Sequence, residues 1–347
     1  MGNICCDFNK RIDAKNFQLI TEIARGHSSK LFLAIEKLTK QQVAIKQYNK
    51  KEIITKDLVQ NVFKERNLAI QLSGPFVSNA FGSFQDEDNL YLVFEFIHGP
   101  ELTHIMHQTD NFGEDFWRFY IAEILVALDW IHTFGIIHGD IKPENILISA
   151  QDGHIRIIDF DSATDIIKET STRINPPIVC GTFAYMAPEL LKIQNPTFAS
   201  DFYSVGVILY EMFHGLPPFY SPDQTKMLDQ ILNDKPIIDE LISKPCGDLI
   251  AKLLEKNPNE RIGYNGFQEI QKHEFFKGID WEQIAKKSLT PPLIPKPLFQ
   301  NIEKNNWIPP LEVSSILTQE EQKIFKNYSF QSNVVKELLN SKSNDEK

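Results

Sequence analysis

Four side chains suited to phosphoryl transfer lie close together in the sequence, between positions 140 and 159. Asp140 supplies a carboxylate that can accept or orient the proton of an attacking hydroxyl, and the ammonium of Lys142 can screen the charge of the moving phosphoryl group. Asn145 and Asp159 supply oxygen ligands of the kind that Mg²⁺ binds. The pattern indicates transfer of a phosphoryl group from a metal-bound nucleotide to a hydroxyl group.

Further residues along the chain are expected to form two ion pairs. Lys46 ends a strand-like apolar stretch, and Glu65 follows 19 residues later on a predicted helix, 58–72. Lys46 is expected to hold the phosphates of the nucleotide while Glu65 orients the lysine. Downstream, Glu189 is expected to pair with a buried Arg261. Each pattern recurs by chance on its own, so the order of all of them is the specific signal.

The composition limits the class of protein. The chain has 347 residues, 42% of them hydrophobic, and a formal net charge of −10. An acidic chain of this length predicts a folded protein with a basic peptide partner and argues against nucleic acid. Four cysteines without metal-ligand spacing and the lack of a long apolar run predict a reduced, intracellular protein that neither spans a membrane nor is secreted.

Periodicity predicts two structural regions. Strands are expected at Leu31–Ile35, Val43–Lys46 and Leu90–Phe96, around the helix at 58–72. Apolar residues on nearly every side of Glu114–His132 predict a fully buried helix. The chain is therefore expected to have a β-rich first region and a mostly helical second one.

The segments 49–54, 84–91 and 118–124, together with the motifs above, resemble the AGC family of serine/threonine protein kinases. Within that family the catalytic region is most similar to the phosphoinositide-dependent protein kinases. The resemblance implies an α+β, bilobal protein kinase fold with a small β-rich N-lobe, a larger helical C-lobe, and ATP and Mg²⁺ as cofactors. It also implies four segments: an N-terminal segment 1–16, the N-lobe and hinge 17–97, the C-lobe 98–281 and a C-terminal tail 282–347.

The resemblance further implies residues that contact ATP and substrate. The expected ATP contacts are Ala24, Gly26, Ser29, Leu31, Ala44, Lys46, Glu95, Ile97, Glu101 and Leu147. Carboxylates that receive substrate arginines are expected at Glu101, Glu144 and Glu211, and Thr182 is a further substrate contact. The alternatives are a ribose contact for Glu101 and an ordinary surface charge for Glu211.

Three departures from the family pattern bear on activity. The phosphate-binding loop, 24–29, keeps only its central glycine. Gly139 replaces the arginine that binds a phosphorylated activation segment, and Ile178 replaces the phosphorylated residue, which together predict independence from phosphorylation at that place. Asp161 replaces a glycine after Asp159. Loss of catalysis is the alternative interpretation, but Lys46 and the acidic groups are retained.

The tail contains a proline segment at 292–297 and an aromatic pattern at 325–330 that resembles the hydrophobic motif of the family, with Ser329 at the phosphorylatable position. The motif is expected to dock in cis in a groove lined by apolar residues. Three polar residues are expected near the phosphate that Ser329 would carry. The alternative is that the apolar residues are ordinary core. The groove residues are Ile53, Ile54, Val59, Val62 and Leu90, and the polar ones are Lys50, Gln85 and Arg66.

The N-terminus resembles a dual acylation signal, with Gly2 myristoylated and Cys5 or Cys6 palmitoylated. One myristoyl chain gives only about 10⁴ M⁻¹ of membrane association, so nearby basic residues are expected to contribute. The predicted location is the cytoplasm, at the inner face of a membrane. An unmodified N-terminus is the alternative.

The sequence therefore predicts a serine/threonine kinase that acts on basic protein segments, binds its own or a partner's tail, associates peripherally with membranes through lipid and binds no nucleic acid. Two other functions stay open. One is a pseudokinase scaffold that binds partner tails through the groove near Ile53, and the other is an upstream kinase that phosphorylates other kinases through that groove.

Overall fold

A computed structural model of the chain describes residues 12–26, 28–108, 112–167, 182–240, 242–298 and 317–331. These residues form two compact units. The first unit contains the described residues up to Gly74, Ser78–Phe96 and those after Phe299. The second contains Pro75–Val77 and Ile97–Leu298.

The first unit is built on an antiparallel sheet. Its five main strands are β1 (Phe17–Arg25), β2 (Ser29–Glu36), β3 (Gln42–Asn49), β4 (Ala80–Gln85) and β5 (Asn89–Glu95). The order is β1-β2-β3-β5-β4, and a short tail strand, Phe330–Gln331, adds to the outer edge of β4. The three predicted strands are present, whereas β1 and β4 were not among the predicted elements.

Two helices complete the first unit together with the tail. Helix α1 (Lys50–Thr55) begins where the Asn49 side chain accepts a bond from the Glu52 amide. Helix α2 (Val59–Gln71) confirms the predicted helix and buries residues about one turn apart, namely Val62, Glu65, Leu68 and Ala69. A polar residue, Glu65, is therefore directed inward with the apolar face.

The second unit is mostly helical. Helix α4 (Glu114–Thr133) is buried on most sides, as predicted, and contacts α6 (Phe198–His214). The remaining helices are α3 (Leu102–Met106), α5 (Pro188–Leu191), α7 (Gln224–Asn233), α8 (Lys244–Leu253), α9 (Gln268–Gln271) and α10 (Trp281–Ala285). Helix α11 (Gln319–Ile324) lies in the tail and belongs to the first unit. The α+β class is confirmed, with a β-rich first unit and a helical second unit.

Two short antiparallel ribbons position the loops of the second unit. Strand β6 (Ile136–Ile137) pairs with β9 (Thr164–Asp165), and β7 (Ile146–Ile148) pairs with β8 (Ile155–Ile157). The tail strand, Phe330–Gln331, is β10. Strand β6 precedes residues 138–145, and β8 precedes Asp159. The two ribbons therefore hold the start of the two loops that carry the predicted catalytic and metal-binding residues.

The expected pair of Glu189 and Arg261 is present and buried. The guanidinium donates to both carboxylate oxygens, at 2.7 and 2.9 Å, and also to the Ala199 carbonyl at 2.8 Å. Such a bidentate pair can be buried because each charge has its hydrogen bonds. Among the described residues, no helix is both long and apolar enough to cross a bilayer.

Candidate active site

The predicted pair of Lys46 and Glu65 forms within the first unit. Lys46 Nζ on β3 lies 2.7 Å from one oxygen of Glu65 on α2, and both side chains are largely buried. The second oxygen of Glu65 accepts a hydrogen bond from the hydroxyl of Tyr48. Since both carboxylate oxygens are bonded, the orientation of the glutamate is fixed from two directions.

The loop after β6 places two predicted site residues, Lys142 and Asn145, against the carboxylate of Asp140. Oδ2 of Asp140 accepts bonds from Lys142 Nζ at 2.7 Å and from Asn145 Nδ2 at 2.9 Å. The same amide nitrogen donates to the Asp140 carbonyl at 2.8 Å. Oδ1 of Asp140 is buried and has no hydrogen-bond partner among the residues that the structure describes. One carboxylate oxygen is therefore held in place, while the other can accept a proton or a hydrogen bond from a hydroxyl group.

A buried aspartate, Asp201, holds this loop in place. Asp201 on α6 accepts the backbone N–H groups of His138 and Gly139, both at 2.9 Å, and lies 2.8 Å from His132 Nε2. Burial disfavours the charged form, but the bond and charge of His132 hold the pKa of Asp201 below its ordinary value. The carboxylate is therefore ionised and fixes the backbone just before Asp140.

The two predicted metal ligands stand at one end of the β7–β8 ribbon. The Ile158 amide donates to the Asn145 carbonyl at 3.0 Å, which places Asn145 opposite the residue before Asp159. The Asn145 bonds described above use its amide nitrogen, so its side-chain oxygen is directed away from Asp140. Asp159 adopts a positive φ of 64° and is exposed. A carboxylate and an amide oxygen fit a hard divalent cation.

The expected ATP contacts of the first unit lie on four neighbouring strands, β1, β2, β3 and β5, and in the turn between β1 and β2. Ala24 pairs with Leu31, and the Gly26 amide donates to the Ser29 carbonyl at 2.8 Å, which closes the β1–β2 turn without the two missing glycines. On β3, Ala44 pairs with Phe94 of β5. The side chain of Glu95, at the end of β5, accepts a bond from Asn79 at 2.9 Å.

In the second unit the structure brings two of the expected ATP contacts together, because Glu101 and Leu147 form an isolated β-bridge. Ile97 is buried at the start of that unit. Thr182 begins a short 3-10 helix, Thr182–Tyr185. The roles of all these residues stay predictions.

Of the three expected substrate carboxylates, Glu144 acts on the other two through its charge. Burial, and then the charge of Glu144, raises the pKa of Glu101. Burial raises the pKa of Glu211 to about 7, opposed by the bond from the Tyr185 hydroxyl and increased by Glu144. The alternative of a surface charge at Glu211 is wrong, because its side chain is buried on α6. A cluster of this kind attracts cations.

The tail occupies the predicted groove. Phe325 and Tyr328 are fully buried in one cluster with Ile53, Val62 and Leu90, while Ile54 and Val59 pack against it. The groove interpretation and the core alternative thus describe the same residues. Phe330, by contrast, is 39% exposed and joins β10.

The polar groove residues have partners other than the expected phosphate. Arg66 donates to the carbonyls of Asn327 and Tyr328, and Gln85 donates to the Phe325 carbonyl at 2.7 Å. Lys50 donates to the Asp86 carbonyl and to the Gln322 side chain. All three polar residues therefore contact the tail, through its backbone or through α11, and the phosphosite at Ser329 stays a prediction.

Several predicted residues lie outside the described part of the chain, namely Gly2, Cys5, Cys6 and Ile178. Of the departures from the family pattern, Gly139 has a positive φ of 75° and Asp161 is exposed in the turn after Phe160. Glycine suits position 139 because residues with a side chain are strained at this positive φ.

Comparison with known proteins decides the family. The family described as "Protein kinase domain" matches residues 17–276. This chain belongs to the protein kinase family. The kinase fold predicted from the motifs is confirmed, with its β-rich and helical units.

Named relatives of this kinase chain are serine/threonine kinases. It is 36% identical over 329 residues to serine/threonine-protein kinase gad8 of Schizosaccharomyces pombe, covering 92% of this chain and 57% of the relative. It is 36% identical over 289 residues to sgk-1 of Caenorhabditis elegans, covering 83% of this chain and 62% of the relative. It is 36% identical over 297 residues to YPK1 of Saccharomyces cerevisiae, covering 84% of this chain and 43% of the relative.

These relatives support the predicted AGC type, and the closer likeness to the phosphoinositide-dependent protein kinases stays a prediction. The chain spans between 24% and 64% of the length of the curated relatives compared with it. The likeness therefore concerns the catalytic region and part of each relative.

The conformation of Gly139 predicts a cost for any side chain there. An added Cβ would lie 3.0 Å from the Ser162 carbonyl oxygen at a φ of +75°. We expect Gly139→Ala to lower the free energy of unfolding by about 1 to 3 kcal/mol. Denaturant unfolding measures this, with Gly113→Ala as control because a Cβ there meets no atom within 4 Å. Equal stability of the two variants would contradict the prediction.

The unequal burial of the tail aromatics predicts unequal effects. We expect Phe325→Ala to weaken tail docking by about 3 to 5 kcal/mol, because a fully buried ring is lost. Phe330→Ala should cost much less, since that ring is partly exposed. Limited proteolysis of residues 317–331 reports docking, and equal cleavage rates in the two variants would show that the burial pattern is wrong.

Proposed function

We propose that this chain is a serine/threonine protein kinase that transfers the γ-phosphoryl group of ATP to Ser or Thr hydroxyls in basic protein segments. The observation that carries the proposal is the state of Asp140. Its Oδ2 is fixed by Lys142 and Asn145, while its Oδ1 has no partner among the described residues. A carboxylate held in this way can accept the proton of an acceptor hydroxyl as the new P–O bond forms and the bond from the γ-phosphorus to the leaving ADP breaks.

Each remaining residue has a defined part in this mechanism. When bound, ATP with Mg²⁺ supplies the phosphoryl group and neutralises much of its negative charge. Asn145 and Asp159 hold the cation through oxygen ligands. Lys46, oriented by Glu65, holds the phosphates, and Lys142 screens the charge near Asp140. The protein thereby acts mainly by positioning and by electrostatic stabilisation.

The carboxylates of Glu101, Glu144 and Glu211 support a preference for arginine before the acceptor residue. The charge of Glu144 raises the pKa of both Glu101 and Glu211, which supports the view that Glu144 lies near each of them. A charged hydrogen bond can contribute about 1.5 to 3 kcal/mol, so a few such contacts select a basic peptide. Thr182 is proposed as a further substrate contact.

The tail favours regulation in cis over the two other functions. Phe325 and Tyr328 occupy the groove that a scaffold or an upstream kinase would use for partner tails. In this proposal residues 1–16 form the N-terminal segment, 17–97 the N-lobe and hinge, 98–281 the C-lobe and 282–347 the tail. Ser329 in the tail is a candidate phosphosite. Activity is proposed to need no phosphate on the activation segment, since Gly139 offers no phosphate receptor.

Membrane attachment is proposed from the sequence alone. Gly2 would be myristoylated and Cys5 or Cys6 palmitoylated, which would place the kinase on the cytoplasmic face of a membrane. Fractionation of cells that express Gly2→Ala tests this. An unchanged membrane fraction would remove lipid attachment from the proposal.

Transfer of radiolabelled phosphate from ATP to an arginine-rich peptide tests the function directly. We expect Asp140→Asn to lower kcat by at least about 100-fold, because the acceptor proton loses its base. ATP affinity should stay within a few-fold of the unaltered protein. Asp115→Asn, a surface change of the same chemistry, serves as control because that side chain is 90% exposed. Absence of transfer by the unaltered protein, or full activity of Asp140→Asn, would contradict the proposal.

The pKa of Glu211, about 7, predicts a pH dependence of peptide binding. Below that pKa the carboxyl group is protonated and no longer attracts arginine, so KM for the peptide should rise as pH falls. Between pH 8 and pH 6 the ionised fraction falls about tenfold, which sets the size of the increase. Glu211→Gln should raise KM at pH 8 and flatten the profile. An unchanged slope in that variant would assign the titration to another group.

A further inference from the structure

Tyr48 connects the Lys46–Glu65 pair to the tail groove. It stands two residues after Lys46 on β3, so the two side chains leave the same face of the strand. Its hydroxyl donates to one oxygen of Glu65, while Lys46 bonds to the other at 2.7 Å. Lys46 Nζ also lies 5.7 Å from the centre of the Tyr48 ring.

The ring of Tyr48 belongs to the same buried cluster as the tail residues Phe325 and Tyr328. Those tail rings also contact α2, the helix that carries Glu65. Phe63 stacks on Phe325 with ring centres 6.4 Å apart and meets Tyr328 edge-on at 5.5 Å. The tail therefore shares packing both with the helix that carries the glutamate and with the tyrosine that bonds to it.

We propose that Tyr48 is a positioning residue for phosphoryl transfer and that it couples tail docking to the Lys46–Glu65 pair. The inference rests on the proposed kinase function. A glutamate held only by a lysine can rotate about its side-chain bonds, whereas a second hydrogen bond to the other oxygen selects one orientation. The buried tail rings share a cluster with the tyrosine ring, so the Tyr48 hydroxyl connects the tail to the ion pair in addition to the packing of the tail on α2.

The residue types matter for this coupling. A leucine or valine at position 48 could fill the same apolar cluster, but neither offers a donor to Glu65. The hydroxyl is therefore the part of the side chain that packing alone does not explain. A buried carboxylate oxygen without a hydrogen-bond donor is costly, so the bond from Tyr48 stabilises Glu65 in a way that packing of the ring cannot.

Tyr48→Phe tests the inference because it removes the hydroxyl and keeps the ring. We expect kcat for peptide phosphorylation to fall about tenfold, the size of one lost hydrogen bond to a charged group, with KM for the peptide unchanged. Tyr91→Phe is the matched control. It also removes a buried hydroxyl bonded to a carboxylate, that of Asp86 at 2.7 Å, but on β5 and away from the ion pair.

Coupling is measured by adding Phe325→Ala to each background. In the unaltered protein this tail change should lower kcat, whereas in Tyr48→Phe it should lower kcat much less, because the connecting hydroxyl is already absent. In Tyr91→Phe the full effect of the tail change should remain. Multiplicative, independent losses in the double variant with Tyr48→Phe would overturn the coupling.

Loss of stability is distinguished from loss of positioning by temperature. Activity is compared at a temperature about 15 °C below the Tm of each variant, where the folded state predominates. A persistent kcat defect of Tyr48→Phe supports positioning, and recovery to the unaltered rate overturns it. If the unaltered protein transfers phosphate while Tyr48→Phe matches Tyr91→Phe, this inference alone fails. If the unaltered protein transfers none, the proposed function fails.

Discussion

The carboxylate of Asp201 is the interaction on which the candidate active site depends. It is a buried charge, and burial of a charge is costly unless hydrogen bonds replace those to water. Here the replacements are the backbone N–H groups of His138 and Gly139 together with His132. These amides belong to the two residues before Asp140, so the bonds that make the buried charge tolerable also define the direction of the catalytic loop.

Two further interactions, one within each unit, fix other predicted site residues. The β7–β8 ribbon carries Asn145 to the side of Ile158, and Asn145 in turn bonds to Asp140. In the first unit, Glu65 has a separate support, in which Lys46 and Tyr48 each bond one oxygen. Both units use the same principle: a carboxylate is fixed through one or both oxygens by donors on regular or tightly paired backbone.

The tail makes the support of Glu65 depend on a distant part of the sequence. Its contacts are two buried aromatic rings and hydrogen bonds from Arg66, Gln85 and Ser83 to backbone carbonyls. Glu321 on α11 adds an ion pair with Lys51 at 2.8 Å, and the pKa of Glu321 is lowered to about 2 by that bond and by Thr318. The hydrogen bonds to the tail are thus directed at its backbone carbonyls, while the ion pair is made by a side chain of α11.

The sequence predicted those contacts that join side chains carried by regular elements. The pair of Lys46 and Glu65 followed from a strand and a helix at fixed spacing, whereas the buried helix α4 followed from apolar residues on nearly every side of it. It did not predict contacts to backbone groups, such as those of Asp201 or Arg66, because the partner there carries no sequence signature and depends on tertiary packing. The burial of Glu211 was missed for the same reason, since an acidic residue in an apolar helix does not reveal which way it faces.

Amide hydrogen exchange combined with turnover of Asp201→Asn tests the central claim most directly. The asparagine keeps the shape but offers one acceptor oxygen in place of two, so one of the two loop amides loses its partner. The account predicts faster exchange in residues 136–142 together with a large fall in kcat and little change in ATP affinity. Faster exchange with undiminished kcat, or unchanged exchange in a folded variant, would contradict it.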